Sequence, residues 1–136
     1  MRALRFLLAS VVLFVVALGW NALVHGVVFR SANDSVRHLW RANLGEYMPI
    51  SFLITAGMVV VFIWGYHRFA RTPSVREALT YGFFFALVTG LLVDLNQALL
   101  YPIPFSVAGR WFVGGVFEFS LYALLLSRLY PPARRF

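Results

Sequence analysis

The sequence has no cysteine, no lysine and little charge of either sign: 12% of its residues are charged, and only five are acidic. Without cysteine there are no disulfides, thiolate nucleophiles, thiolate-bound metals or iron–sulfur clusters. Without lysine there is no Schiff-base chemistry on this chain. Nucleophile elbows, phosphate-cradling glycine loops and zinc-protease motifs are also missing. What is present in excess is apolar surface. Of 136 residues, 61% are hydrophobic and 18% aromatic, against roughly 45–50% apolar and about 25% charged in soluble domains. A soluble fold of this length has too small an interior to hide that surface. The composition excludes an ordinary soluble enzyme, a disordered tail and a disulfide scaffold. It implies a polytopic membrane protein whose single domain covers 1–136.

About 20 apolar residues cross a bilayer as a helix. Four segments meet that length, at about 4–29, 49–69, 78–100 and 111–129. The expected fold is therefore all-α, a four-transmembrane-helix bundle. Arg2 and Arg5 before an apolar run, with Ala17-Leu18-Gly19 behind it, have the look of a secretory signal; the segment is read as a retained first span. The net charge of +7 comes from arginine at the ends of the apolar runs. That placement suits membrane lipid headgroups rather than nucleic acid. Arg2, Arg5, Arg68, Arg71, Arg76, Arg128, Arg134 and Arg135 fall on one side, and Arg30, Arg37, Arg41 and Arg110 on the other. This asymmetry predicts a multi-pass protein of a bacterial inner membrane with both termini in the cytoplasm. Trp20, Trp40 and Trp111 then belong to an aromatic belt at the outer interface.

The connections carry their own signals. An interfacial helix is expected around Ser35 to Glu46. Ser74 and Glu77 form a capping box ahead of span three. The apolar segment Tyr101–Phe105 is expected to lie in the outer interface or to dip into the protein.

Polar residues inside the spans follow four-residue spacing, which keeps them on one helix face. Span three reads Ala78, Gly82, Ala86, Gly90, Asp94, Ala98; span one Ala17, Asn21, His25; span four Gly114, Glu118, Tyr122. Small residues let membrane helices approach closely, so these faces point inward. An ionisable side chain at the bilayer centre costs about 2.5–3.5 kcal/mol on insertion scales. Inward placement offsets that cost through amides and a histidine, and a carboxylate there needs a proton or the His25 imidazolium. The expected site is a buried cluster of Asn21, His25, Asp94, Asn96 and Glu118 in the outer half, with Gln97 beside it and Ser51, Thr55 and Glu46 entering from the same side. Arg37, Arg41, Asn43 and Glu46 form a candidate anion site in the outer loop. A bis-histidine haem inside the bundle is not expected, because His67 lies at the opposite end and His38 in the loop. A metal held by His25, Asp94 and Glu118 is chemically allowed, but spacing gives it no support, so no metal is assigned and no cofactor is identified.

Residues Asn43-Leu44-Gly45-Glu46-Tyr47-Met48-Pro49, with Arg41 ahead of them, resemble the Arg…Asn-x-x-Glu-Tyr-x-Pro signature of the membrane-associated eicosanoid and glutathione metabolism family. That resemblance implies a four-span trimer with Arg41, Asn43, Glu46 and Tyr47 beside glutathione. The whole chain is similar to small uncharacterised four-span bacterial membrane proteins, through Asn21…His25-Gly26, Tyr101-Pro102…Pro104 and Trp111…Glu118. This second resemblance implies an inner-membrane location and no established activity. Three functions are therefore expected. The first is a non-enzymatic accessory or assembly subunit, or a module binding a ligand or lipid through its outer cluster, working as a homo-oligomer or in a larger complex. The second is proton- or cation-linked transport through Asp94, Glu118 and His25. The third is a glutathione-dependent membrane enzyme.

Overall fold

The computed structural model describes residues 2–132. Arg134 and Arg135, counted above among the cytoplasmic arginines, lie outside the described residues. The chain forms helices α1 (Arg2–Leu23), α2 (Arg30–Ser35), α3 (Met48–Phe69), α4 (Val75–Thr89), α5 (Asn96–Leu100) and α6 (Phe105–Leu129). A π-helical turn, Val24–Val28, extends α1, and a second, Gly90–Leu95, joins α4 to α5. Four stretches are long and apolar enough to cross a membrane: Ala3–Val28, Leu44–Phe69, Val75–Leu100 and Phe105–Leu129. The protein is an all-α, multi-pass four-helix bundle.

The last span begins at Phe105, ahead of the expected Trp111. The Pro104 carbonyl accepts from Val107 N–H at 2.9 Å and from Ala108 N–H at 3.2 Å, so the first turn closes before Arg110 is reached. The expected interfacial helix over 35–46 is absent. Helix α2 ends at Ser35, and two short 3-10 turns follow at Arg37–Leu39 and Leu44–Tyr47. Ser35 Oγ bonds back to the Ala32 carbonyl at 2.6 Å, a local bond that competes with helix continuation. Val36 holds this loop down. It is buried with Ala32 and Val107, and Ile103, Leu39 and Trp111 pack on them. Ile103 is thus the residue of the Tyr101–Phe105 segment that dips inward, while Tyr101 and Phe105 stay exposed.

At the start of α4, Ser74 Oγ accepts from Glu77 N–H at 3.2 Å, as a capping box requires. The Glu77 carboxylate does not return to Ser74. It accepts from Thr72 N–H at 2.7 Å and also from Arg71 N–H and the Thr72 hydroxyl, stapling the short link to the helix.

The main core is built from Leu13 and Ala17 of α1, Val59, Phe62 and Tyr66 of α3, Ala78 and Ala86 of α4, and Phe119, Tyr122 and Leu126 of α6. Phe62 is its hub, with ring centroids 5.0 Å from Tyr81 and Phe85, 5.6 Å from Phe119 and 5.9 Å from Tyr122. Helices α4 and α6 pack most extensively, and α1 lies against α3 and α6. Gly82 permits the α4–α6 approach: a Cβ there would stand 2.6 Å from the Phe119 carbonyl oxygen and 2.8 Å from Ala123 Cβ. Only 22–28% of each span's apolar window is buried inside the bundle. The remaining apolar surface is what lipid or another chain would cover.

Candidate functional site

The polar residues gather at the end of the bundle away from Arg2 and Leu129. There α1 runs into its π turn, α4 into the second, and α6 begins. Asn21, His25, Thr89, Asp94, Trp111, Gly115 and Glu118 line one cleft of about 340 Å³, with Val93 and Phe119 completing its walls. The cleft thus draws on three of the four spans. Four of the five residues of the expected cluster face it: Asn21, His25, Asp94 and Glu118. Asn96 does not. It is exposed, and two residues beyond Asp94 on a helical segment it falls on the opposite face. Gln97 lines a different cleft of about 380 Å³, with Trp40, Arg41, Tyr101 and Trp111 among its walls.

His25 and Asp94 both sit on π turns. The first is closed by Phe29 N–H donating to the Val24 carbonyl at 2.7 Å. The second starts at Gly90, where a side chain would collide with the ring of Phe112. A π turn admits an extra residue into a helix and turns the following side chains out of α register.

Glu118 is tied down. Its Oε1 accepts from the Tyr122 hydroxyl and, at 3.4 Å, from Asn21 Nδ2. Asn21 Nδ2 also donates to the Ala17 carbonyl at 2.9 Å. Asp94 is held only by its backbone. Its Oδ2 stands 3.9 Å from where a Cβ on Gly115 would be, an ordinary contact distance. It has no hydrogen bond or ion pair among the described residues. The expected His25 ion pair is not formed either. Asp34 supplies the ion pairs among the described residues, with Arg30 and Arg37 at 3.9 Å each.

Asn33 was not among the expected site residues, yet it positions His25. It is 5% exposed, the buried polar side chain of the described residues. Trp111 Nε1 donates to Asn33 Oδ1 at 2.8 Å. Indole N–H is a donor only, so this bond fixes the amide orientation. Asn33 Nδ2 then faces His25, donating to its carbonyl at 2.9 Å and lying 3.5 Å from its Nδ1. Against an amide donor, Nδ1 is the acceptor, which leaves the proton of the neutral ring on Nε2. Trp111 is therefore an internal clamp on Asn33. The signal for Asn33 in the sequence, an Asn in Ser31-Ala32-Asn33-Asp34-Ser35, is that of a polar loop.

The outer-loop residues do not assemble as one anion site. Arg37 turns to Asp34, Asn43 Nδ2 donates to Glu46 Oε2 at 2.9 Å, and the Arg41 guanidinium lies 5.3 Å from the Tyr47 ring centre. All of these residues are exposed. Ser51 lines an apolar groove of about 550 Å³ with Leu44, Gly45, Tyr47 and Met48, and the same groove touches Asn21 and His25. Thr55 bonds back to the Ser51 carbonyl at 3.0 Å and takes no part in the cleft. No three metal-ligating side chains converge among the described residues.

Chemically, the cleft offers two carboxylates, an imidazole and an amide, with no arginine on its walls. It is built to receive positive charge or hydrogen-bond donors. No family model, no curated protein and no solved structure matches the chain.

Proposed function

We propose that this protein is a non-catalytic ligand-binding module of a bacterial inner membrane, and that its cleft takes a small cationic group, an amine in the first instance. The observation that carries this reading is the Asp94 carboxylate, facing the cleft without a partner beside a Glu118 already engaged by Tyr122 and Asn21. A carboxylate set in a low-dielectric site is costly unless it is protonated or paired, and an ammonium ligand supplies the pair. The arginine distribution supports both termini in the cytoplasm, which puts the cleft in the outer half of the bilayer. The wide apolar faces leave room for a homo-oligomer or a larger complex around it.

Calorimetric titration of the detergent-solubilised protein tests the reading. Ethanolamine binds and acetate does not. Asp94→Asn weakens the amine by about tenfold or more, the size of one charge-assisted hydrogen bond. Absence of ethanolamine binding, or binding indifferent to Asp94→Asn, overturns it.

A further inference from the structure

The carboxylate cleft does not stand alone. Asn21 and His25 line it and also line the apolar groove of Leu44, Tyr47 and Met48. The groove, about 550 Å³, is larger than the cleft of about 340 Å³. The polar cavity and the apolar one therefore adjoin along two shared side chains. A small water-soluble amine fills the first and leaves the second empty.

Arg41 adds the third element. Its guanidinium stacks on Tyr47, a wall of the groove, at 5.3 Å. It also lines the cleft that meets the carboxylate site at Trp111. Arg41 has no carboxylate partner among the described residues. One corner of the bundle thus presents carboxylates, a guanidinium and an apolar groove that adjoin through Asn21, His25, Tyr47 and Trp111. The complementary molecule carries an ammonium, an anion and a hydrocarbon chain.

We infer that the occupant is a membrane phospholipid with a primary-amine headgroup. Its ammonium lies between Asp94 and Glu118, its phosphate meets Arg41, and one acyl chain follows the Leu44–Met48 groove. This rests on the cleft reading above and narrows it to a lipid. A primary ammonium has three N–H donors for Asp94, Glu118 and neighbouring acceptors, whereas a trimethylated headgroup has none. An anionic headgroup without nitrogen brings like charge to two carboxylates. Arginine is suited to the phosphate because its planar fork matches two oxygens.

Native mass spectrometry and thermal melting in detergent test the assignment, with phosphatidylethanolamine, phosphatidylcholine and phosphatidylglycerol as probes. Phosphatidylethanolamine gives a one-to-one adduct and the largest rise in melting temperature. Its preference over the other two is about tenfold. Asp94→Asn removes that preference. Gly45→Trp, at a groove position with nothing within 4 Å of a Cβ, abolishes the lipid adduct while ethanolamine still binds. Arg41→Gln does the same. Equal adducts with all three lipids, or a preference untouched by Asp94→Asn, overturn the assignment. If ethanolamine binds through Asp94 but phosphatidylethanolamine shows no preference, the lipid assignment alone falls. If ethanolamine also fails, the cleft reading falls with it.

Discussion

Asn33 spends all its polar atoms on two neighbours. Its oxygen takes the Trp111 indole proton, and its nitrogen serves the His25 carbonyl and ring. Removing it leaves a buried indole N–H and a carbonyl unpaired, which costs about 1–3 kcal/mol. Asn33→Ala should lower stability by that amount in thermal or denaturant melting. In a Trp111→Phe background, which has already lost the donor, the same change should cost less, and the difference measures the coupling. Additive losses would mean that the two side chains stabilise the fold independently. His25, Asp94 and Glu118 were legible in the sequence because a charge or imidazole inside an apolar run is conspicuous. Asn33 was not, since an asparagine among serine, alanine and aspartate reads as a solvated turn. Only the folding of α2 back over the bundle, anchored by Val36, buries it. For Trp111 the sequence shows a tryptophan at a span's edge but not that its indole nitrogen bonds Asn33.

Among the elements, α4 and α6 depend on small residues meeting backbone. At Gly82 the obstacle to a side chain is a carbonyl oxygen, which cannot swing aside. Gly82→Ala should therefore cost about 1–3 kcal/mol through overpacking. Gly57 in α3 has nothing within 4 Å of a Cβ. Gly57→Ala should be neutral or gain about 0.5–1 kcal/mol from helix propensity. Melting of the two variants side by side checks this, and equal effects would mean that α4–α6 proximity is not fixed by Gly82. The stripe Ala78, Gly82, Ala86, Gly90 was readable from spacing, and all four residues are buried. Beyond Gly90 spacing stops being a guide. Asp94 keeps to the inner side, while Asn96 faces outward and Gln97 lines another cleft. A π turn has no period of its own in a hydrophobicity pattern. It starts at Gly90, where the Phe112 ring is seated, and a partner from another span cannot be read from the local sequence.

At the scale of the whole molecule, what matters is where the cleft ends. Composition and run length alone settle a four-span bundle, because a chain this apolar has few other ways to satisfy its backbone in lipid. They do not tell a binding site from a conduction path, which depends on what lies beneath Glu118. The Tyr122 hydroxyl donates to Glu118, and the Tyr122 ring is packed against Phe62 and Phe119. Below it come Leu13, Ile63 and Leu126, all 0% exposed. Tyr66, further along, has a buried hydroxyl with no hydrogen-bond partner among the described residues. A proton relay needs each group to hand on to the next, and an ion path needs polar lining. Among the described residues the layer beyond the Tyr122 hydroxyl shows neither, which favours a pocket over a path. Proteoliposomes loaded with a pH-sensitive dye and given a pH step should then relax no faster than protein-free vesicles. Asp94→Asn and Glu118→Gln should leave that rate unchanged while weakening amine binding. A protein-dependent flux that Asp94→Asn abolishes would require the Phe62–Phe119–Tyr122 layer to open. The two carboxylates would then belong to a transport cycle instead of a binding site.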